Sequence, residues 1–406
     1  MARKAKTESF ETELSAFQGH LLNKIDKIPT AVTSRLADLG IGDAEQLAAA
    51  ASISGTRESL IDYLQISDRE LDAILQSATS ALPQAMQSTV EVEQAPLALG
   101  GMEPTDEILE EMQMMMTETP VTLDVAALPT SVNYALQMPA IRNQGGRGTC
   151  VAFAMTAVHE FYRIRQGAPK DYSEQFLYHE TKLIDGHPAV CGTWQVKAAQ
   201  VLTNLGECRE VIWPYNPSGS CNNNGVRPAN ARTDAASNKV TTIVLNPKDV
   251  GAIKAALSGG ALVGVSVPVY NSWYLSAETK RTGRITMRIG SEAHVGGHAM
   301  CAVGYQDDAN SPGGGFFILR NSWGTGWGYQ SPYGAGYGTI PYAYIAQLNW
   351  EAVTTPPGKR LIRPIWDWKK WEVKPWPFGE DEGQDPQAET KTIVIDAGPN
   401  VNIVIR

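Results

Sequence analysis

The stretch NQGGRGTCVAF, residues 143–153, decides how the rest of the chain is read. An amide side chain, Gln144, leads through Gly145, Gly146 and Gly148 to one cysteine, Cys150, at the head of an apolar run. Beyond it, Val151, Ala154, Met155, Val158, Phe161 and Tyr162 recur at three and four, the spacing of a helix buried along one face. The pattern predicts a tight glycine turn that delivers Cys150 to a helix N-terminus. Unpaired amides and the helix dipole favour a thiolate there. The Cys150 amide and the Gln144 side chain are then candidate donors to an oxyanion.

A cysteine in an apolar context is by itself more often inert packing, so the partners matter. VGGHAMCAVGY, residues 295–305, sets His298 at the start of an alternating strand. FFILRNSWGTGWGY, residues 316–329, ends a second strand on Asn321, with Trp323 two positions on. An imidazole held in one tautomer by an amide oxygen is a base that can activate a thiol without adding charge. Among the other histidines, His159 lies roughly 13 Å along the Cys150 helix and on its opposite side, out of reach of the sulfur. His294 falls outside the GGHAM stretch.

The order cysteine, histidine, asparagine, with these surroundings, resembles the papain family of cysteine peptidases over about Leu128 to Val353. LPTSVNY from Leu128 resembles the family's mature start, and YSEQFLYH from Tyr172 its serine-glutamate-glutamine helix. GTWQVKAAQVLTNLGECREVIWPYN from Gly192 resembles the helix and turn that follow. The resemblance implies an α+β, two-lobed fold: a helical lobe with Cys150, a β-rich lobe with His298 and Asn321, and the site between them. It makes Cys150 the nucleophile, His298 the base and then the acid, Asn321 its orienter and Gln144 an oxyanion donor. Trp323 would shield the histidine–asparagine contact, and Ser266 and Ala299 would line a substrate pocket. The implied reaction is peptide hydrolysis through an acyl-enzyme, without cofactor or metal and with a protein or peptide as substrate. An acyltransferase using the same triad, or a silent binding module on the same fold, are the rival readings. Arg147 stands where secreted members carry a disulfide cysteine, Val151 where a tryptophan is usual, and CGTW around Cys191 where a glycine pair is expected. These departures suit an intracellular, disulfide-free relative of microbial, bacterial type.

The 406 residues exceed one average domain, and four segments are expected. Residues 1–83 read as a helical module in which LGIGDAEQLAAA from Leu39 and LQISDRELDAIL from Leu64 repeat one helix entry, Ser67 and Glu70 having capping-box spacing. That module resembles helix-hairpin-helix units, but its acidic residues outnumber its arginines, so nucleic acid is an unlikely partner and protein docking is favoured. Residues 84–126 read as a linker with one short acidic helix from near Thr105, placed like a prosegment; there the run Met112–Met116 could fill a cleft and restrain the enzyme as a zymogen. Residues 127–353 form the peptidase domain. Residues 354–406 hold Trp366, Trp368, Trp371 and Trp376, expected as a strap, then a C-terminal β-hairpin that docks on the domain or on a protein partner. The net charge of −9 leaves no broad positive field for nucleic acid or membrane. No secretory or membrane segment is evident, and five cysteines argue against a disulfide framework and for the cytoplasm. His187, Cys191, Cys208 and Cys221 lack the paired spacing of a zinc site.

Overall fold

The computed structural model describes residues 19–83, 97–118, 128–168, 170–220 and 224–356. The tryptophans of the expected strap and the final hairpin therefore lie outside the described residues, as do the first eighteen positions. Chain contacts divide the protein into Met1–Leu361 and Ile362–Arg406, and everything below concerns the first unit.

An antiparallel sheet is the frame of the molecule. Its strands are β1 (Ser131–Asn133), β2 (Ile243–Val244), β3 (Val263–Tyr270), β4 (His294–Asp307), β5 (Gly315–Arg320), β6 (Tyr337–Pro341) and β7 (Glu351–Thr354), ordered β2-β7-β3-β4-β5-β6 with β1 beside β4. Strand β3, valine-rich, is buried along its whole length because both faces are covered. The helix Cys150–Arg165 packs on β4 and β3 from one side and against the helices Glu174–Lys182 and Gln195–Asn204 from the other. Its residues Cys150 to Phe161 are all buried, so the one-sided stripe expected from the sequence is a helix enclosed all round, its polar positions Thr156, His159 and Glu160 included.

The described residues of the N-terminal module form a short 3-10 turn, Leu22–Lys24, and the helices Thr30–Asp38, Ala44–Ala51, Thr56–Leu64 and Asp68–Ala81. Both repeated entries are capped: Asp43 accepts from Gln46 N, and Ser67 with Glu70 forms the full capping box. The module shares one continuous apolar cluster with the sheet lobe instead of standing apart from it. Its first hairpin faces that lobe, with Gly40 beside Pro312 and Pro341, and Leu39 O accepting from Met287 N at 2.9 Å. Asp43 is clamped by Arg284 at 2.5 Å, and Arg284 also holds Glu278 at 2.9 Å. The hairpin that a nucleic-acid backbone would need is thus spent on the chain's own sheet lobe. Among the described residues, no helix is long and apolar enough to cross a membrane.

Candidate active site

Cys150 opens its helix directly after Thr149, and the glycine turn before it is tied down on three sides. Tyr215 OH donates to Gln144 O at 2.8 Å and shares a 2.7 Å contact with Thr149 Oγ1. Gln144 N donates to Ser322 O at 2.8 Å, and Ser322 Oγ donates to Gln144 Oε1 at 2.5 Å. Gln144 is thereby oriented by the strand end that carries Asn321, with its Nε2 left for other acceptors.

His298 and Asn321 come from neighbouring strands. Cys301 pairs with Arg320; continuing that register one step sets Asn321 opposite Met300, on the same sheet face as His298. The imidazole Nε2 lies 2.8 Å from Asn321 Oδ1, which also accepts from Ser322 N at 2.8 Å. The Trp323 ring stacks on the imidazole at 4.2 Å and 19°. Ala299, the residue after His298, donates its amide to Cys150 Sγ at 3.4 Å. Cysteine, histidine, asparagine, glutamine and tryptophan are therefore gathered at one place. Ser266 pairs with Ala299 across β3 and β4 but is fully buried, its hydroxyl taken by Gln195 Nε2 and Glu351 Oε2. His159 is held elsewhere, its Nδ1 2.9 Å from Glu207 and its ring stacked on Tyr172.

Residues 97–104, LALGGMEP, lie across this site. Gly100 N and Gly101 N donate to Gly297 O at 3.1 and 3.0 Å. Thr193 N donates to Gly100 O and Met102 N to Thr193 O, a short parallel bridge along the far wall. Gln144 Nε2 and Trp323 Nε1 both donate to Ala98 O, at 3.1 and 3.2 Å. A Cβ on Gly100 would stand 2.1 Å from Gly148 O, and one on Gly101 would stand 3.1 Å from His298 N. Only a glycine pair passes this close to the nucleophile turn. Its signal in the sequence is the GG of LALGGM, which reads there as linker punctuation. The run Met112–Met116, expected to fill the cleft, sits instead on the helix Asp106–Glu118, where Met112 packs into the helical lobe and Met114 is exposed. Amphipathic spacing recruited those methionines to a helix face, and backbone hydrogen bonds fill the cleft in their place.

Burial bears on the acid–base state of the site. Burial pushes the Cys150 thiol up to about 11, against the pull of backbone amides from Ala299, Gly100, Val151 and Cys150 itself. Burial pushes His298 down to about 4, Asn321 opposing it. Desolvation thus works against the thiolate expected from the helix terminus, while the amides favour it.

One sequence expectation about cross-links needs correction. Cys191 is disulfide-bonded, so the chain is not disulfide-free. Cys150, Cys208 and Cys301 are free, and Cys221 lies outside the described residues. Arg147 carries its own cross-link: the buried guanidinium donates to Gln175 Oε1, Asn216 O and Asn224 Oδ1 and lies over the rings of Tyr178 and Tyr215. Nothing in the sequence marked that arginine as interior. Among the described residues no cluster of histidine, cysteine or acidic side chains could hold a metal.

Known proteins resemble this chain over the same region. A family model described as papain family cysteine protease matches residues 128–340. An uncharacterized peptidase C1-like protein of Acanthamoeba polyphaga mimivirus is 28% identical over 216 residues, 51% of this chain and 66% of its own. A cathepsin B-like protein of Giardia intestinalis is 30% identical over 220 residues, 51% of this chain and 69% of its own. The chain thus spans about two thirds of each of these relatives. The crystal structure of xylellain, a cysteine protease from Xylella fastidiosa, superposes with a TM-score of 0.54 at 27% identity, covering 66% of this chain and 98% of that one.

Proposed function

The chain belongs to the papain family of cysteine proteases, and from that premise we propose that it is a cysteine endopeptidase held closed by its own residues 97–104. The observation that carries the reading is the His298–Asn321 pair under Trp323 beside the Cys150 sulfur, with the glycine strand laid across them. Once the strand leaves, water reaches the site and the desolvation that keeps thiol and imidazole neutral falls away. The Cys150 proton passes to His298, and the thiolate adds to the scissile carbonyl. The resulting oxyanion takes hydrogen bonds from the Cys150 amide and from Gln144 Nε2, the donor that Ala98 O occupies in the closed state. His298 protonates the leaving amine, the acyl-enzyme forms, and water activated by the same imidazole releases the acid. Asn321 holds the ring throughout, and Ala299 and Ser266 stand behind the wall that the substrate meets.

The helical module is a fixed handle in this scheme, because its clamp on the sheet lobe leaves the segment after residue 83 as the part free to be displaced or cut. A protein partner of that module, or of the C-terminal hairpin, would be the source of the opening signal. Cytoplasmic residence loses its ground in cysteine usage, since Cys191 is bonded.

A thiol-directed epoxide tests the reading directly. Opened protein takes up one equivalent, Cys150→Ser takes up none, and His298→Ala reacts and turns over peptide close to background while Asn321→Ala keeps a reduced rate. Undiminished turnover in Cys150→Ser would refute the assignment.

A further inference from the structure

Half of the Asn321 amide has its place and half does not. Oδ1 serves His298 and Ser322 N, whereas Nδ2 is sealed from solvent with no hydrogen-bond partner among the described residues. A buried N–H left in that condition costs about 1–3 kcal/mol. Beside it lies a small polar cavity whose wall includes Ala157, Glu160, Glu174 and Asn321 and the arginines Arg142 and Arg320. It offers about 10 Å³ to the centre of a water molecule, enough for one where several polar groups converge. The two carboxylates on its wall share one arginine, and Glu160 Oε1 also accepts from Tyr172 N at 3.2 Å. One guanidinium, Arg142, is divided among Glu174 at 2.5 Å, Glu160 at 3.3 Å, Asp171 and the Tyr172 carbonyl. A donor without an acceptor and two carboxylates, each with several lone-pair sites, thus face the same water-sized space.

We propose that Glu160 and Glu174 are positioning residues for Asn321: one water in this cavity takes a hydrogen bond from Asn321 Nδ2 and donates to the carboxylate pair. The bridge fixes the sense of the amide. With Nδ2 engaged, Oδ1 must face His298, which keeps the imidazole proton on Nε2 and leaves Nδ1 to accept the thiol proton. A reversed amide would set an N–H against that proton and release the ring. The ion cluster buried behind the nucleophile helix, which contributes no group to the bond-making steps, thereby reaches the reaction through one side chain.

The proposal rests on the peptidase reading for its kinetic arm only. Its primary test is the ¹⁵N spectrum of the His298 imidazole in the full-length chain. Wild type shows one tautomer, Nε2–H. Glu174→Leu and Glu160→Leu remove acceptors and yield a mixture, while Glu174→Gln, which still accepts from water, keeps the single form. Should the leucine variants not fold, Ala157→Val fills the cavity, leaves both carboxylates in place and yields the same mixture. In opened protein, Glu174→Leu lowers kcat roughly ten- to hundredfold at constant KM, and adds no further loss when Asn321 is already alanine. A single Nε2–H tautomer in Ala157→Val, or fully additive losses with Asn321→Ala, overturns the proposal. If no form cleaves peptide, the peptidase reading fails and the tautomer still decides this one.

Discussion

Replacing one hydrogen at Gly100 should switch the protein on. In Gly100→Ala the new methyl would stand 2.1 Å from Gly148 O, where ordinary contact begins near 3.4 Å. The turn before Cys150 is pinned by Tyr215 and Ser322, so the glycine strand has to give way, by about 1.3 Å. That retreat takes Gly100 N and Gly101 N beyond bonding range of Gly297 O and strains the Thr193 bridge. The overlap costs about 1–3 kcal/mol, and each of two lost backbone bonds about 0.5–1.5 kcal/mol. With partial relaxation the closed state loses about 2–4 kcal/mol, a shift of roughly thirty- to a thousandfold in the open-to-closed ratio. Only the open fraction turns over, so kcat/KM of the intact chain on a short fluorogenic peptide should rise about thirtyfold or more, up to the ceiling set by fully open enzyme. Gly326→Ala, whose added Cβ meets nothing within 4 Å, is the control and stays at the wild-type rate. Equal rates for uncleaved Gly100→Ala and wild type, with Cys150 labelled equally in both, would refute the idea that this strand restrains the enzyme.

Alkylation of Cys150 should separate the two states by pH. Burial raises the thiol to about 11 in the closed chain, so its iodoacetamide rate keeps climbing beyond pH 10, whereas Gly100→Ala reaches its plateau at lower pH; coincident profiles would show that covering does not set the thiol. Arg284→Met strands the buried carboxylate of Asp43, while Glu278 keeps Arg281, and should cost about 3–5 kcal/mol in urea unfolding, with Asp43→Leu recovering part of the loss in the double variant. Arg147→Met forfeits three hydrogen bonds and two ring contacts, worth about 2–4 kcal/mol together. Arg147→Lys should not rescue it, because a point-like ammonium cannot serve acceptors spread around a planar fork.

That Cys150, His298 and Asn321 would meet at one place was legible because they sit at element boundaries that the chain marks strongly. Glycines flag the turn before Cys150, an alternating run flags the strand of His298, and Asn321 closes an apolar run. Pairing between β4 and β5 then follows from hairpin-scale proximity. The Ser67–Glu70 capping box of the N-terminal module was legible for the same local reason. What the sequence concealed is non-local. The docking of that module depends on Arg284 meeting Asp43 across the fold, and no local pattern encodes such a meeting. Arg147 reads as a surface charge until Tyr178 and Tyr215 are seen to enclose it. The methionine run misled because apolar side chains suggest a cleft filler, whereas what crosses a nucleophile at van der Waals distance is bare backbone.

That last point explains how the chain can place a peptide bond over its own nucleophile without losing the segment. The glycine strand offers amides to Gly297 and to the sulfur, and carbonyls to Gln144, Trp323 and Thr193, so its backbone satisfies groups a substrate would use while Leu97 and Leu99 anchor it to the apolar core. It also dries the site, and drying drives thiol and imidazole to their neutral forms. Under the proposed reading restraint would be double: Gln144 Nε2 is engaged by Ala98 O, and burial works against the Cys150 thiolate. A variant that restores water without freeing Gln144 separates the two effects. Leu99, whose side chain packs against Gly296, is the position for it. Leu99→Ser admits solvent while leaving the Ala98 and Gly100 backbone bonds intact, and should speed alkylation of Cys150 several-fold with little gain in peptide turnover. Parallel gains in both rates would mean that access alone, and not the charge state of the pair, holds the enzyme silent.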